Sequence, residues 1–473
     1  MTESWSERSV EEKESMGFAE DDGHTRTGTV WTATAHAITA IIGSGVLALP
    51  WSVAQMGWIL GPFTLLACAI VTYYTANLLS DCYRTPDPIH GKRNHTYMDV
   101  VSSCLGPRNV FLCAIAQYAL LWGTMVGYVI TAATSMMAID RSNCFHYKGR
   151  NAHCNTSGNL YLILFGIVEL VLSQFPNLEK ITVISLIAAA MSFAYSFISL
   201  FLCIFKLASN HTFQGTILGA KIGGTVSLST KVWYAFQALG NIAFAYTYSM
   251  LLIEIQDTIK APPPENKTMK RASLHGIGVT TIFYVSVGCI GYAAFGNKAP
   301  GNILTGFYEP FWLVDIANVA VIVHLIGAFQ VYGQPIYAKY ENYLSKKWPE
   351  SVFFHKVYML ALPFCKPRAF RFTLCKLILR SAFVVLTILI AMMLPFFNAV
   401  VGLLGAIAFW PLTVHFPVSM YMAQAKIRRG QWQWVVLSFL SAIALLVSVL
   451  AAAGSVVDII HRLKHVTMFK TKL

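Results

Sequence analysis

The sequence predicts an all-α integral membrane protein with about eleven transmembrane helices. Of its 473 residues, 56 % are hydrophobic and only 12 % are charged, and the mean hydropathy is +0.55, far more apolar than a soluble domain. From Thr29 onward eleven apolar segments recur, each near the ~20 residues that a helix needs to cross about 30 Å of hydrocarbon. Lipid offers backbone amides no partners, so such segments pair their own backbone as helices.

The first 28 residues are polar, with acids from Glu3 to Asp22 and no apolar run. They are not a cleaved signal sequence and read as a disordered cytosolic tail. The apolar segments span about 29 to 56, 58 to 81, 110 to 138, 159 to 175, 181 to 206, 232 to 255, 273 to 295, 312 to 338, 377 to 394, 399 to 421 and 433 to 456. The fourth is short, and only "LPFFNA" divides the ninth from the tenth.

Most of the 35 Lys and Arg fall in alternate loops, which orients the N-terminus toward the cytosol. An odd number of crossings then carries the C-terminal tail, 457–473, to the outside. The net charge of +13 is accounted for by topology, and no nucleic-acid partner is expected. Cys144 and Cys154 share the outside loop "RSNCFHYKGRNAHCNTSG", where a disulfide persists, beside a glycosylation sequon at Asn155. Cys68, Cys113, Cys203 and Cys289 sit in helices as small core residues, and no metal-ligand spacing is present.

Two helices carry breakers. "AIIGSGVLALPW" places Gly43, Ser44, Gly45 and Pro50 inside segment one, and segment six carries Gly240-Asn241 at its middle. These segments occupy matching positions if 29–206 and 232–421 are two five-helix units, with 433–456 an additional eleventh helix. Interrupted helices at matching positions of two inverted halves free backbone groups for a polar ligand at the midplane. The half-helix that starts near Gly45 aims its amides at the break and favours a carboxylate there. Glycine lets that carboxylate approach the backbone. The competing reading is that Gly and Ser serve tight helix packing.

The stretches "GTVWTATAHAITAIIGSGVLALPWSVAQMGW", "GKRNHTYMDVV", "FQALGNIAFAYTYSMLLIEIQDTIKAPPPENKTMKRAS", "GCIGYAAFGNKAPGNILTGFYEPFWLVDIAN", "HLIGAFQVY" and "LPFFNAVVGLLGAIAFWPLTVHFPVSMY" resemble plant amino acid permeases of the amino acid/auxin permease family. The resemblance covers about residues 24 to 460. It implies a leucine-transporter-like 5+5 inverted repeat plus one helix, a cytosolic N-terminus, and proton-coupled uptake of amino acids across the plasma membrane. No cofactor beyond the coupling proton is implied. The chain has "ALPWS" where the family more often has "SLAWA", and its loop "ILTGFYEPFW" is about two residues short; both departures bear on selectivity.

Ionisable side chains within membrane helices are functional suspects by default. His36, on the first half-helix, and His324, in segment eight, are the first candidates for proton coupling, because imidazole titrates between extracellular and cytosolic pH. Glu169 and Asp315 are alternatives; His415 is weaker, and Glu254 and Asp257 terminate segment six. The backbone of Gly43, Ser44 and Gly45 is assigned to the substrate carboxylate. Unwound Asn241, Ile242, Ala243 and Phe244 are assigned to its ammonium and side chain. Segment three offers Gln117, Tyr118 and Trp122, of which Tyr118 is assigned a hydrogen bond to the carboxylate.

No acid lies clearly at the break, so the expected substrate has a neutral side chain. Expected partners are amino acids, protons and membrane lipids. The alternatives are a carrier of auxin or another weak acid, and an amino acid sensor on the same fold. A membrane enzyme would need clustered His, Asp or Cys, which the sequence lacks.

Overall fold

A computed structural model describes residues 26–149, 152, 154, 157–174, 181–219, 227–360 and 370–465. Helix α1, Val30–Ile41, opens on a capping box in which the Thr29 and Thr32 side chains each accept the other's backbone amide. It stops short of Gly43, and a tight 3₁₀ turn follows at Ser44–Ala48. Helix α2, Leu49–Asp81, then begins with Pro50 in its first turn, where the missing amide has no partner to lose. Pro50 therefore starts the second half of a broken helix.

Within α2 the backbone reverses at Gly57, whose φ is +84°. A Cβ on Gly61 would lie 3.1 Å from the Cα of Val53, although eight residues of straight helix span about 12 Å. Leu49–Asp81 is thus two helices folded back on each other.

A two-residue hairpin, β1 Arg84–Thr85 with β2 Lys92–Arg93, leads to the short helix α3, Tyr97–Leu105. Then come α4 Pro107–Lys148, α5 Gly158–Leu172, α6 Ile181–Asn210, α7 Leu228–Ala245, α8 Ser249–Gln256, α9 Glu265–Phe295 and α10 Phe311–Lys347. After the single turn α11, Val352–His355, strands β3 Val357–Leu360 and β4 Phe370–Thr373 pair antiparallel. The chain closes with α12 Leu374–Met393, α13 Phe397–Ala408, a π-helical stretch Phe409–His415, α14 Phe416–Gln424 and α15 Trp432–His465.

Helix α9 packs along α2, α10 along α4 and α6, and α7 between α13 and α15. The outside of the bundle is apolar: Phe439, Ile443, Leu446 and Val449 recur along one exposed side of α15. An apolar outer surface is what a bilayer requires. At the far end of α4, Cys144 is disulfide-bonded to Cys154. Asn155 and the tail before Arg26 lie outside the described residues.

Among the described residues, 9 helical stretches are long and apolar enough to cross a membrane, and the apolar helix Gly158–Leu172 is shorter. The first stretch, Ser44–Asp81, contains the reversal at Gly57. Eleven crossings follow if that hairpin counts as two and α5 also crosses, a count we carry as a proposal.

Two boundaries differ from expectation. Residues 26–28 are not free tail: Arg26 pairs with Asp257, and the Gly28 amide donates to the Thr258 carbonyl at 2.8 Å. Helix α15 continues to His465 instead of ending near 456. Hydropathy marks where a helix leaves an apolar environment, whereas its own hydrogen bonds and the pair of buried Asp458 with part-exposed Arg462, 2.8 Å apart, carry it further.

Candidate substrate site

The break after α1 and the break after α7 face each other. Between them lies a cavity of about 40 Å³ lined by Gly43, Ser44 and Gly45 on one side and by Phe244, Ala245 and Thr247 on the other. That is room for only a few waters, each of which needs about 10–15 Å³ of such space, so the two breaks lie close upon each other. Gly45 is what permits the approach: a Cβ there would sit 3.2 Å from Phe244 Cδ1 and 3.5 Å from Ala245 Cα. A Cβ on Gly43 would meet nothing within 4 Å, and it opens onto the cavity that Gly43 lines.

The electrostatics are paired. The first hydrogen bond of the 3₁₀ turn runs from the Val46 amide to the Gly43 carbonyl at 3.2 Å, so the amides of Ser44 and Gly45 precede it and present partial positive charge. Helix α7 ends at Ala245, bringing its carbonyl end and partial negative charge to the same cavity. An α-amino carboxylate needs both signs a few ångströms apart. Among the described residues, no Asp, Glu, Lys, Arg or His lines this cavity.

The family described as transmembrane amino acid transporter protein matches residues 26–461. The chain belongs to that family. Amino acid permease 8 of Arabidopsis thaliana is 52 % identical over 457 residues, covering 95 % of each chain. Amino acid permease 2 of the same plant is also 52 % identical, over 455 residues, covering 96 % of this chain and 92 % of its own. Lysine histidine transporter-like 1 is 29 % identical over 449 residues, 94 % of this chain and 91 % of its own. The protein is accordingly a multi-pass membrane transporter and not an enzyme.

Several predicted residues of the transporter lie away from the cavity. The second break falls at Tyr246–Tyr248, because α7 runs unbroken through Gly240 and Asn241. Gly240 is instead a packing residue: a Cβ there would collide with the Gly402 carbonyl of α13, just as one on Gly405 would collide with the Gly240 carbonyl. Of the four unwound residues expected, only Phe244 lines the cavity. Asn241 faces α13, its Oδ1 3.1 Å from where a Gly402 Cβ would stand. Ile242 and Ala243 are buried but helical.

Tyr118 lies off the lining stripe of α4, which is Leu120, Thr124 and Tyr128 at four-residue spacing. Trp122 instead ties α4 to α12, donating to Thr387 Oγ1 at 3.1 Å. Thr124, whose buried hydroxyl has no partner among the described residues, Tyr128, Thr247 and Tyr332 are lining residues that sequence reasoning missed. The Leu120–Thr124–Tyr128 spacing, one face of a helix, was the available signal.

His36 is exposed on the outer side of α1, whose buried face is Ala33, Thr34, Ala37 and Ile41. It does not reach the cavity. His324 is buried on α10, with Nδ1 2.8 Å from the Ala188 carbonyl and its ring edge-on to Tyr195. Its Nε2 has no partner among the described residues. Glu169 accepts from Gln330 at 2.6 Å, and Asp315 from Asn143 at 2.7 Å. Arg380 is paired with Glu341 at 2.7 Å and donates to the Ser173 carbonyl at 2.9 Å.

At the outer ends of the two broken helices the chain is tied. Arg26, just before α1, donates to Asp257, just after α8, at 2.8 Å. Tyr83 donates to the same carboxylate at 2.6 Å, and His95 lies 3.2 Å from its other oxygen. Burial alone would raise the Asp257 carboxyl, but hydrogen bonds from Tyr83, Arg26 and His95 outweigh it and hold the group below the usual carboxylate range.

Proposed function

We propose that this transporter is a proton-coupled symporter that imports amino acids, mainly those with neutral side chains, across the plasma membrane by alternating access. The observation that carries the reading is the cavity between the two helix breaks, with amides at one wall and a helix carbonyl end at the other. That pairing is complementary to a zwitterion, and a lining without charged side chains favours a neutral substrate.

At about 40 Å³ the cavity must widen to admit even a small amino acid. Widening requires the half-helices to swing. Release of the Arg26–Asp257 tie would free their ends on one face, which we assign to the cytosol together with the N-terminus; the C-terminus is then extracellular. The substrate carboxylate sits against Ser44 and Gly45, and its side chain meets Phe244, Tyr128 and Tyr332. The coupling proton we assign to His324, whose Nε2, without a partner among the described residues, is the acceptor.

Electrical recording from cells expressing the protein, with each amino acid presented at two external pH values, tests the reading. Inward current carried by neutral amino acids and enlarged at acid external pH is expected. Uptake without current, or current evoked only by auxin or another weak acid, would overturn it.

A further inference from the structure

Cys82 directly follows α2, and Cys104 lies in the final turn of α3. Two polar side chains draw these positions together. Asn94 reaches the Tyr83 carbonyl with its backbone and side-chain nitrogens, each at 3.0 Å, while its Oδ1 accepts from Ser103 at 2.7 Å. Gln424, the last residue of α14, donates to the carbonyls of Asp81 at 3.0 Å and Arg84 at 2.9 Å, and its Oε1 is 3.9 Å from the Cys104 sulfur. The neighbours of both cysteines are thereby clamped, and the two side chains meet between the clamps. The Cys82 sulfur is also 3.4 Å from the Leu78 carbonyl.

The two thiols differ in access and in acidity. Cys82 is buried and Cys104 is half-buried; of the two, Cys104 lines the cavity of about 760 Å³ formed by the β1–β2 hairpin, α3 and the end of α14. The thiolate is the reactive form of cysteine. A hydrogen bond from Cys82 holds the Cys104 thiol below its usual value, outweighing its part burial. Contact with Cys104, together with burial, pushes Cys82 well above its own. One thiol is therefore reachable and readily ionised, and the other waits behind it. An accessible thiolate beside a resolving thiol is the arrangement that redox-sensing pairs use.

We propose that Cys82 and Cys104 form a reversible disulfide, with hydrogen peroxide as oxidant and a small thiol such as glutathione as reductant, and that the bond restrains transport. In the orientation proposed above both face the cytosol, where thiols stay reduced until an oxidant arrives. The Cys104 thiolate attacks a peroxide oxygen; the O–O bond breaks, leaving a sulfenic acid and a hydroxide that takes up a proton to become water. The Cys82 sulfur then attacks the sulfenic sulfur, the S–O bond breaks, and the departing hydroxide leaves with the Cys82 proton as a second water. Two thiols are oxidised and one peroxide is reduced. Two molecules of the small thiol reverse the step and leave as their own disulfide. Tyr83, the residue after Cys82, donates to Asp257 at 2.6 Å. Fastening Cys82 to α3 therefore holds the chain at the Asp257 tie, a consequence that rests on the release of that tie during transport.

The test treats the full-length protein in phosphatidylcholine liposomes with hydrogen peroxide, blocks the remaining thiols with N-ethylmaleimide and maps the peptides by mass spectrometry. A cross-link between Cys82 and Cys104, with loss of two free thiols per chain and recovery in reduced glutathione, is expected. Cys82→Ala should stop at the sulfenic acid on Cys104, which dimedone traps, and Cys104→Ser should give neither product. Uptake of a neutral amino acid by the wild type should fall on oxidation and return on reduction, whereas Cys104→Ser should keep its untreated rate. Should Cys82→Ala not fold, Cys104→Ser, at the part-exposed position, carries both readouts. Absence of the cross-link from the oxidised wild type would overturn the proposal, and so would a cross-link that leaves uptake unchanged. Uptake before oxidation reports the proposed function separately, so the two readings fail independently.

Discussion

The hydroxyl of Tyr284 on α9 donates to the carbonyl of Ile41, the last residue of α1, across 2.6 Å. The helix break frees that carbonyl, and a side chain from another helix satisfies it. Breaking a helix in an apolar interior costs several kcal/mol unless such partners exist. Tyr284→Phe should therefore destabilise the protein by about 1–3 kcal/mol and lower uptake. Thermal unfolding in detergent, beside uptake at matched surface amounts, checks this; an unchanged unfolding temperature would count against it.

Gly43 and Gly45 line one cavity but fail differently when substituted. A Cβ on Gly43 enters open space, so Gly43→Ala should fold normally and lose substrate affinity by about tenfold, roughly 1.4 kcal/mol. Gly43→Leu and Gly45→Leu should abolish uptake while still reaching the surface, the second because it displaces Phe244. Normal uptake by either leucine variant would remove the site assignment.

Proton coupling separates the two histidines. His324→Gln should flatten the dependence of uptake on external pH and reduce accumulation against a gradient more than it reduces exchange. His36→Gln, on the exposed side of α1, should leave both as in the wild type. The opposite pattern would return the proton to His36, and wild-type behaviour of both variants would shift attention to Glu169.

The tie at Asp257 has a defined pH window. Because its folded value is lowered, its contribution to stability is fully present above the unfolded carboxyl value, about 3.9, and is lost as pH falls through the lower folded value. Unfolding temperature should show no loss from this group between pH 8 and 5, and a loss below about 4 that Asp257→Asn lacks. Equal acid profiles for the two proteins would sink the idea.

Much of this was legible because it is local. Segment length and hydropathy fix the membrane class, Gly-Ser-Gly followed by Pro50 fixes the first break, and the quoted stretches fix the family. The second break was misplaced by about five residues. Gly240-Asn241 looks like an interruption in sequence, but its glycine answers to the backbone of α13, which lies more than 160 residues away in the chain.

Face selection also belonged to the tertiary structure. Tyr118 and Tyr128 are the same residue type on one helix, yet only Tyr128 lines the cavity, because neighbouring helices decide which stripe of α4 turns inward. His36 and His324 are alike by sequence, and packing leaves one outside and buries the other. Asp257 reads as a helix terminus until Arg26, Tyr83 and His95 converge on it. Hydropathy and breaker residues act through the chain's own backbone and are written along it, whereas close approach, helix facing and ion pairing depend on partners brought together only when the helices pack.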